Sequence, residues 1–269
     1  MASKLFPGDP SKVMVIRQVT PQITTLSLPF SRFGLIRFGA RATLVKLATG
    51  SMLVVSPVTL TPEVHETIRS QGATVRYIAA PDMEHHLHIG AWKEAFPDAE
   101  IIAPEGLYEK RQRSGKYRDA PFAHVLTAKN KHSISISEEF DREIEIEYVD
   151  GHVSREIVFL HKPSRTVIEA DLLFNPPGHE QYSRSGQSAT AGLLTKLFAF
   201  AVSAKPPATS HQRFAWYVLA KDRARFAESA RRIYGWDFDR IIPCHGDVIE
   251  AGAKGVFQNV FGWFLEQKG

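Results

Sequence analysis

Short apolar runs broken by turn residues fill the first two thirds of this chain, and longer apolar stretches with helical spacing fill the last third. Val13 to Ile16, Ile23 to Leu28, Ala42 to Leu47, Met52 to Val55 and Val75 to Ala79 predict strands, with Thr49-Gly50 as a hairpin turn between the third and fourth. Thr61-Pro62-Glu63 opens a helix that closes near Gln71-Gly72. Thr61 can cap it, Pro62 fits the first turn and Glu63 complements the helix dipole. Gly90 to Phe96 reads as a short helix closed by Pro97, Ile101-Ile102 as a strand, and Glu105 to Arg113 as an exposed basic helix or turn. Ser133 to Ser137 and Glu143 to Val149 both alternate polar with apolar residues, the period of half-buried strands, and Glu138 to Asp141 reads as the hairpin between them.

Beyond this point the turns between strands carry chemistry. A strand ends at Tyr148-Val149, and Gly151 turns the chain to present His152. Ile157 and Phe159, then Val167 and Ile168, predict two strands across the Lys162-Pro163-Ser164-Arg165 turn, and Asp171 stands where the second ends. Ile241-Ile242 predicts another strand, followed by Cys244 and His245. His85, His86 and His88 follow the strand that ends at Ala79. Histidine and carboxylate side chains just past strands can converge while the sheet behind them stays rigid, which is how metal ligands are gathered from several loops. Ala191 to Ala204 predicts an apolar helix over the site mouth or the core, or one lying in a lipid interface, with Lys196 its only internal charge. Phe214 to Tyr234 predicts one or two helices, and Lys254 to Gln267 an amphipathic one.

The chain has 269 residues, 43% hydrophobic and 23% charged, enough for one large domain with a core of its own. The expected layout is a single domain over 1–269, with a loose N-terminus at 1–12 and a helical insertion at 176–235 near the site mouth. The net charge of +4 is mild; it leans toward an anionic substrate and gives no argument for nucleic acid. Cys244 is the single cysteine, which excludes an internal disulfide, and a buried structural thiol is the simplest reading of it. The first residues lack the apolar core of a signal peptide, and no stretch has bilayer-spanning length, so a cytoplasmic protein without a membrane span is expected. Nucleophilic-serine, phosphate-loop and dinucleotide fingerprints are missing from the sequence.

The chemistry-bearing turns come in the order histidine cluster, His, Asp, His. In that order, and in the phrases GHVSREIVFLH, ADLLF and PCHGD, the chain resembles the metallo-β-lactamase superfamily from about residue 15 onward. More narrowly, Pro81-Asp82…His85-His86 and Trp236-Asp237-Phe238 are similar to an uncharacterised metallo-β-lactamase-like branch. The resemblance implies an α/β fold, a four-layer αβ/βα sandwich. It implies a metal site drawn from His85, His86, His88, His152, Asp171 and His245, with Asp171 also catalytic and bridging if two metals bind. One or two zinc ions are the expected cofactor, iron or manganese the alternatives. The implied activity is hydrolysis, a metal-bound hydroxide attacking an ester, lactone or thioester carbonyl of a small apolar or acyl-type substrate. The first motif departs from the family's His-x-His-x-Asp-His. A register starting at Met83 keeps His85 and His88, one starting at Pro81 keeps His85 and His86, and neither keeps the aspartate. That departure favours a single metal, or an altered pair using Asp82 or Glu84. It also leaves two other readings open: a metal-free binding protein that keeps the fold, and an iron-dependent oxidoreductase.

Overall fold

The structure, a computed structural model, describes residues 5–117, 119 and 121–266. The first sheet has seven strands, β1 (Val15–Gln18), β2 (Ile23–Leu28), β5 (Ala40–Lys46), β6 (Ser51–Val55), β7 (Thr74–Ala79), β8 (Glu100–Pro104) and β9 (His124–Leu126), in that spatial order. Its first four strands are antiparallel neighbours and its last four pair in parallel through helical crossovers. A two-stranded hairpin, β3 (Ser31–Arg32) with β4 (Ile36–Arg37), interrupts the sequence between β2 and β5. The second sheet runs β10 (Ile144–Val149), β11 (Glu156–His161), β12 (Thr166–Glu169) and β13 (Arg240–Pro243). β13 joins β12 in parallel after a long helical excursion.

The two-residue period of the strands explains the layers. In β11, Ile157 and Phe159 face Tyr77, Leu53 and Val45 of the first sheet, forming the core between the sheets. Val158 and Leu160 face the opposite way, against Phe226, Phe257 and Phe261 of the helices Arg223–Gly235 and Ala253–Glu266. On the far side of the first sheet, Leu44, Val54 and Ile78 pack on Val64, Ile68 and Trp92 of the helices Pro62–Ser70 and Ile89–Ala95. The order is therefore helix, sheet, sheet, helix, with both sheets buried on both faces. The first of those helices starts as its sequence predicts: Thr61 caps it by accepting from Val64 N–H.

Two expectations fail for local reasons, and a third element divides. Ser133–Ser137 forms no strand; Ser137 instead caps a helix, Glu138–Glu143, where a hairpin was expected, and Asp141 accepts from Ile136 N–H. Serine and aspartate side chains here take up the backbone donors that a ladder would have used. The basic helix Leu107–Arg113 is not wholly exposed, because Arg111 is buried in an ion pair with Asp119 (2.6 Å). The stretch expected as one or two helices from Phe214 divides into Thr209–Phe214, a wide π turn at Ala215–Leu219 and Arg223–Gly235.

Candidate metal centre

The loops that follow β7, β10, β12 and β13 meet at one end of the sandwich. Main-chain bonds lace them together. Ile157 N–H reaches Pro81 O (2.6 Å), Met83 N–H reaches Ser154 O (3.0 Å), Cys244 N–H reaches Glu169 O (3.1 Å) and Asn175 N–H reaches His245 O (3.1 Å). Gly246 makes the last of these loops fit. Its φ is +99°, and a Cβ there would lie 2.1 Å from Asn175 O, so only glycine can follow His245.

Inside this lacing, His85, Asp171 and His245 each aim one ligating atom at the same point, all within 4.8 Å of one another. His85 Nε2 lies 3.0 Å from His245 Nε2, which lies 3.2 Å from Asp171 Oδ1. The other nitrogen of each ring has a fixed acceptor: Asp82 Oδ1 for His85 Nδ1 (2.9 Å) and Gly39 O for His245 Nδ1 (2.7 Å). Each Nδ1 therefore carries a proton, and the two Nε2 atoms face each other. Only a shared proton or a cation makes that arrangement favourable, and carboxylate or carbonyl partners behind the rings are the usual support of metal-ligating histidine. His152 stands beside them, buried, with Nδ1 2.8 Å from Ser154 Oγ and an enclosed Nε2 that has no hydrogen-bond partner among the described residues. Ser154 Oγ in turn donates to Asp82 Oδ2 (3.2 Å).

The charges follow the geometry. Burial pulls the His85 imidazolium down, but the Asp82 and Asp171 carboxylates outweigh it and hold its pKa at about 9. Burial alone would raise Asp171; His85 and His245 together drive it below the carboxylate range instead. His152 is pulled down, chiefly by burial. The site thus sets the Asp171 carboxylate against the rings of His85, His152 and His245 at the inner end of the cleft.

The remaining histidines of the first motif differ. His86 turns its Nδ1 to Arg111 Nη1 (3.0 Å), and burial followed by that cation lowers its pKa to about 4. His88 packs edge-on against Phe6, with a buried Nε2 that meets no partner among the described residues. Glu84 faces outward to Lys110 (3.0 Å), whereas Asp82 is fully enclosed. Cys244 is buried, with its thiol on Arg41 O (3.3 Å), as its apolar context suggested. Sequence reasoning missed the residues that brace His245. Arg41 is fully buried and donates to Pro243 O (2.6 Å) and Gly246 O (2.7 Å), and Gln181 grips Cys244 O (2.7 Å) and Gly246 N–H (3.0 Å). No motif marks them, because they act from distant segments through side chain to backbone bonds.

A cleft of about 770 Å³ opens onto the centre. His85, His152, Asp171 and His245 lie at its floor, and Phe30, Phe38, Phe174 and Phe198 form apolar walls. Phe174 stacks on His245 with the ring planes 7° apart, and Phe38 meets it edge-on. Phe198 comes from the helix Leu193–Ala201, part of the stretch expected to wall the mouth.

Residues 33–181, more than half of the sequence, match the family described as a domain of unknown function, DUF4336. The chain belongs to the DUF4336 family. The matched stretch holds the loops of His85, His152 and Asp171 and stops short of His245. No curated protein matches the sequence. Among solved structures, the chain is similar to the DIM-1 metallo-β-lactamase, with a TM-score of 0.59 at 15% identity over 93% of this chain and 96% of that one. It is similar to a metallo-β-lactamase from Erythrobacter litoralis, at 0.59 and 13% over 95% and 97% of the two chains. It is also similar to the FIM-1 metallo-β-lactamase from Pseudomonas aeruginosa, solved in a mono-zinc form, at 0.53 and 16% over 93% and 94%. This DUF4336 member therefore has the metallo-β-lactamase fold, as the order of its histidine and aspartate turns implied.

Proposed function

We propose that the protein is a metal-dependent hydrolase acting on a small apolar or acyl-type ester, lactone or thioester. In this reading His85, Asp171 and His245 hold a single metal, with His152 Nε2 as the adjoining donor. The observation that carries it is the 3.0 Å approach of two histidine Nε2 atoms whose Nδ1 atoms are both engaged elsewhere. The donor set of imidazole nitrogen and carboxylate oxygen suits zinc, and iron or manganese also accept it. When bound, such a metal polarises a carbonyl and acidifies water.

The chain's own residues supply the rest. Asp82 fixes the His85 ring from behind, and Gly39 O does the same for His245. Asp171 brings the negative charge that balances the cation. The phenylalanine walls take up the apolar part of the substrate and keep bulk water from the reacting carbonyl. His86 belongs to Arg111 and His88 to the packing against Phe6 in this reading.

Elemental analysis of protein purified without chelator tests the proposal, beside Asp171→Ala and a His152→Ala/His245→Ala double variant, with ester turnover measured in parallel. One equivalent of metal in the parent, none in the double variant, and turnover lost on chelation are expected. A parent without metal, or turnover that survives chelation, overturns the reading.

A further inference from the structure

The helix Leu193–Ala201 turns its apolar side to water. Leu193 and Phe200 are each 73% exposed, Leu197 is exposed between them, and the three fall on one stripe at i, i+4 and i+7. The buried position of the helix is Thr195, whose hydroxyl donates to Leu35 O (3.3 Å) and accepts from Arg37 N–H (3.1 Å). Those bonds fix the helix to the β3–β4 hairpin, where Phe33 is 77% exposed and Leu35 is exposed as well. Phe33, Phe198 and Val218 also line the cleft, so this apolar face is continuous with the mouth of the site. An amphipathic helix packed on a soluble core has the opposite arrangement.

The segment that carries this helix holds charges of one sign. From Gln181 to Lys221 there is no aspartate or glutamate, while Arg184, Lys196, Lys205, Arg213 and Lys221 are all cationic. These five cations fall in 41 residues, between Glu180 and Asp222. Lys196, Lys205, Arg213 and Lys221 are exposed, and among the described residues none of them forms an ion pair. Lys196 lies on the apolar stripe itself, where a long side chain can bury its methylenes and lift its ammonium to a phosphate layer. A second copy of the chain is a poor occupant, because a two-fold interface would set these cations against each other.

We propose that this face docks the protein on an anionic lipid bilayer, with Leu193, Leu197, Phe200 and Phe33 entering the headgroup–acyl boundary and the cations meeting lipid phosphates. Exposed leucine and phenylalanine beside lysine and arginine are the composition of interfacial helices. The cleft mouth then faces the acyl layer. That the substrate is an acyl compound dissolved in the bilayer rests on the hydrolase reading; the docking does not.

Flotation with vesicles of phosphatidylcholine mixed with phosphatidylglycerol, against vesicles of phosphatidylcholine alone, tests the docking without any turnover. The parent is expected to float with the anionic vesicles and to lose binding in high salt. Leu193→Glu/Leu197→Glu/Phe200→Glu is expected to weaken binding about tenfold or more. Lys196→Glu/Lys205→Glu, a charge change alone, is expected to weaken only the anionic-vesicle binding. A parent that floats with neither vesicle, or a leucine–phenylalanine variant that floats as well as the parent, overturns the proposal. So does a dimer seen by light scattering in the parent, lost in that variant, with no vesicle binding.

Discussion

Asp82 is the residue through which the first loop becomes a site. Its Oδ1 accepts from Glu84 N–H (2.8 Å), His85 N–H (2.7 Å) and His85 Nδ1–H (2.9 Å), and its Oδ2 accepts from Ser154 Oγ. One buried carboxylate therefore shapes the turn, selects the His85 tautomer and reaches the His152 loop through a serine. Asp82→Asn keeps the shape and removes the charge behind His85. Its expected effect is a loss of about tenfold to a hundredfold in metal affinity, read by competition with a chromophoric chelator. Unchanged affinity would show that Asp82 serves only the turn. The sequence placed three histidines in this loop and could not choose among them. The choice depends on which side each ring faces, and that is decided by partners such as Arg111 at His86, 25 residues away.

Elements were legible where periodicity and caps agreed. The strand Ile23–Leu28 and the Thr61-capped helix stand as their patterns predict, whereas the Ser-Ile alternation at Ser133–Ser137 gave way to side-chain capping. The helix Thr209–Phe214 carries a feature that no pattern announces. His211 is fully buried near Phe174 and Phe214, neither ring nitrogen has a partner among the described residues, and burial pulls its pKa down to about 3. It stays neutral in the folded chain, while the unfolded chain takes up a proton below about pH 6.5. The stability it leaves intact above pH 6.5 is therefore lost as pH falls toward 3, at about 1.4 kcal/mol per pH unit. Urea unfolding at pH 7 and pH 5 should show His211→Phe spared about 2 kcal/mol of the acid loss seen in the parent. Equal losses in the two chains would mean that His211 is charged or solvated in the fold.

At the scale of the whole molecule, the centre is a seam between the sheets. His85 follows β7 of the first sheet, while Asp171 and His245 follow β12 and β13 of the second. Arg41, on β5, crosses the same seam to the carbonyls of Pro243 and Gly246. A cation held by all three ligands ties the sheets together, so its removal lowers the stability of the entire fold. Saturation at about a hundredfold above the dissociation constant contributes about 2.7 kcal/mol, so chelation should lower Tm by several degrees in a chain of this size. A melting curve indifferent to chelator would place the metal outside the folding equilibrium. By itself the sequence determined most strands of the two sheets, most helices, and the placing of His152, Asp171 and His245 just past strand ends. Those follow from local periodicity and turn chemistry, which neighbouring residues carry. The tertiary structure alone decided which histidine of the first loop joins the centre, that Asp82 stands behind it, that Arg41 and Gln181 brace the last loop, and that the helix Leu193–Ala201 faces outward. Each of these depends on contacts between residues far apart in the chain, which no local pattern encodes.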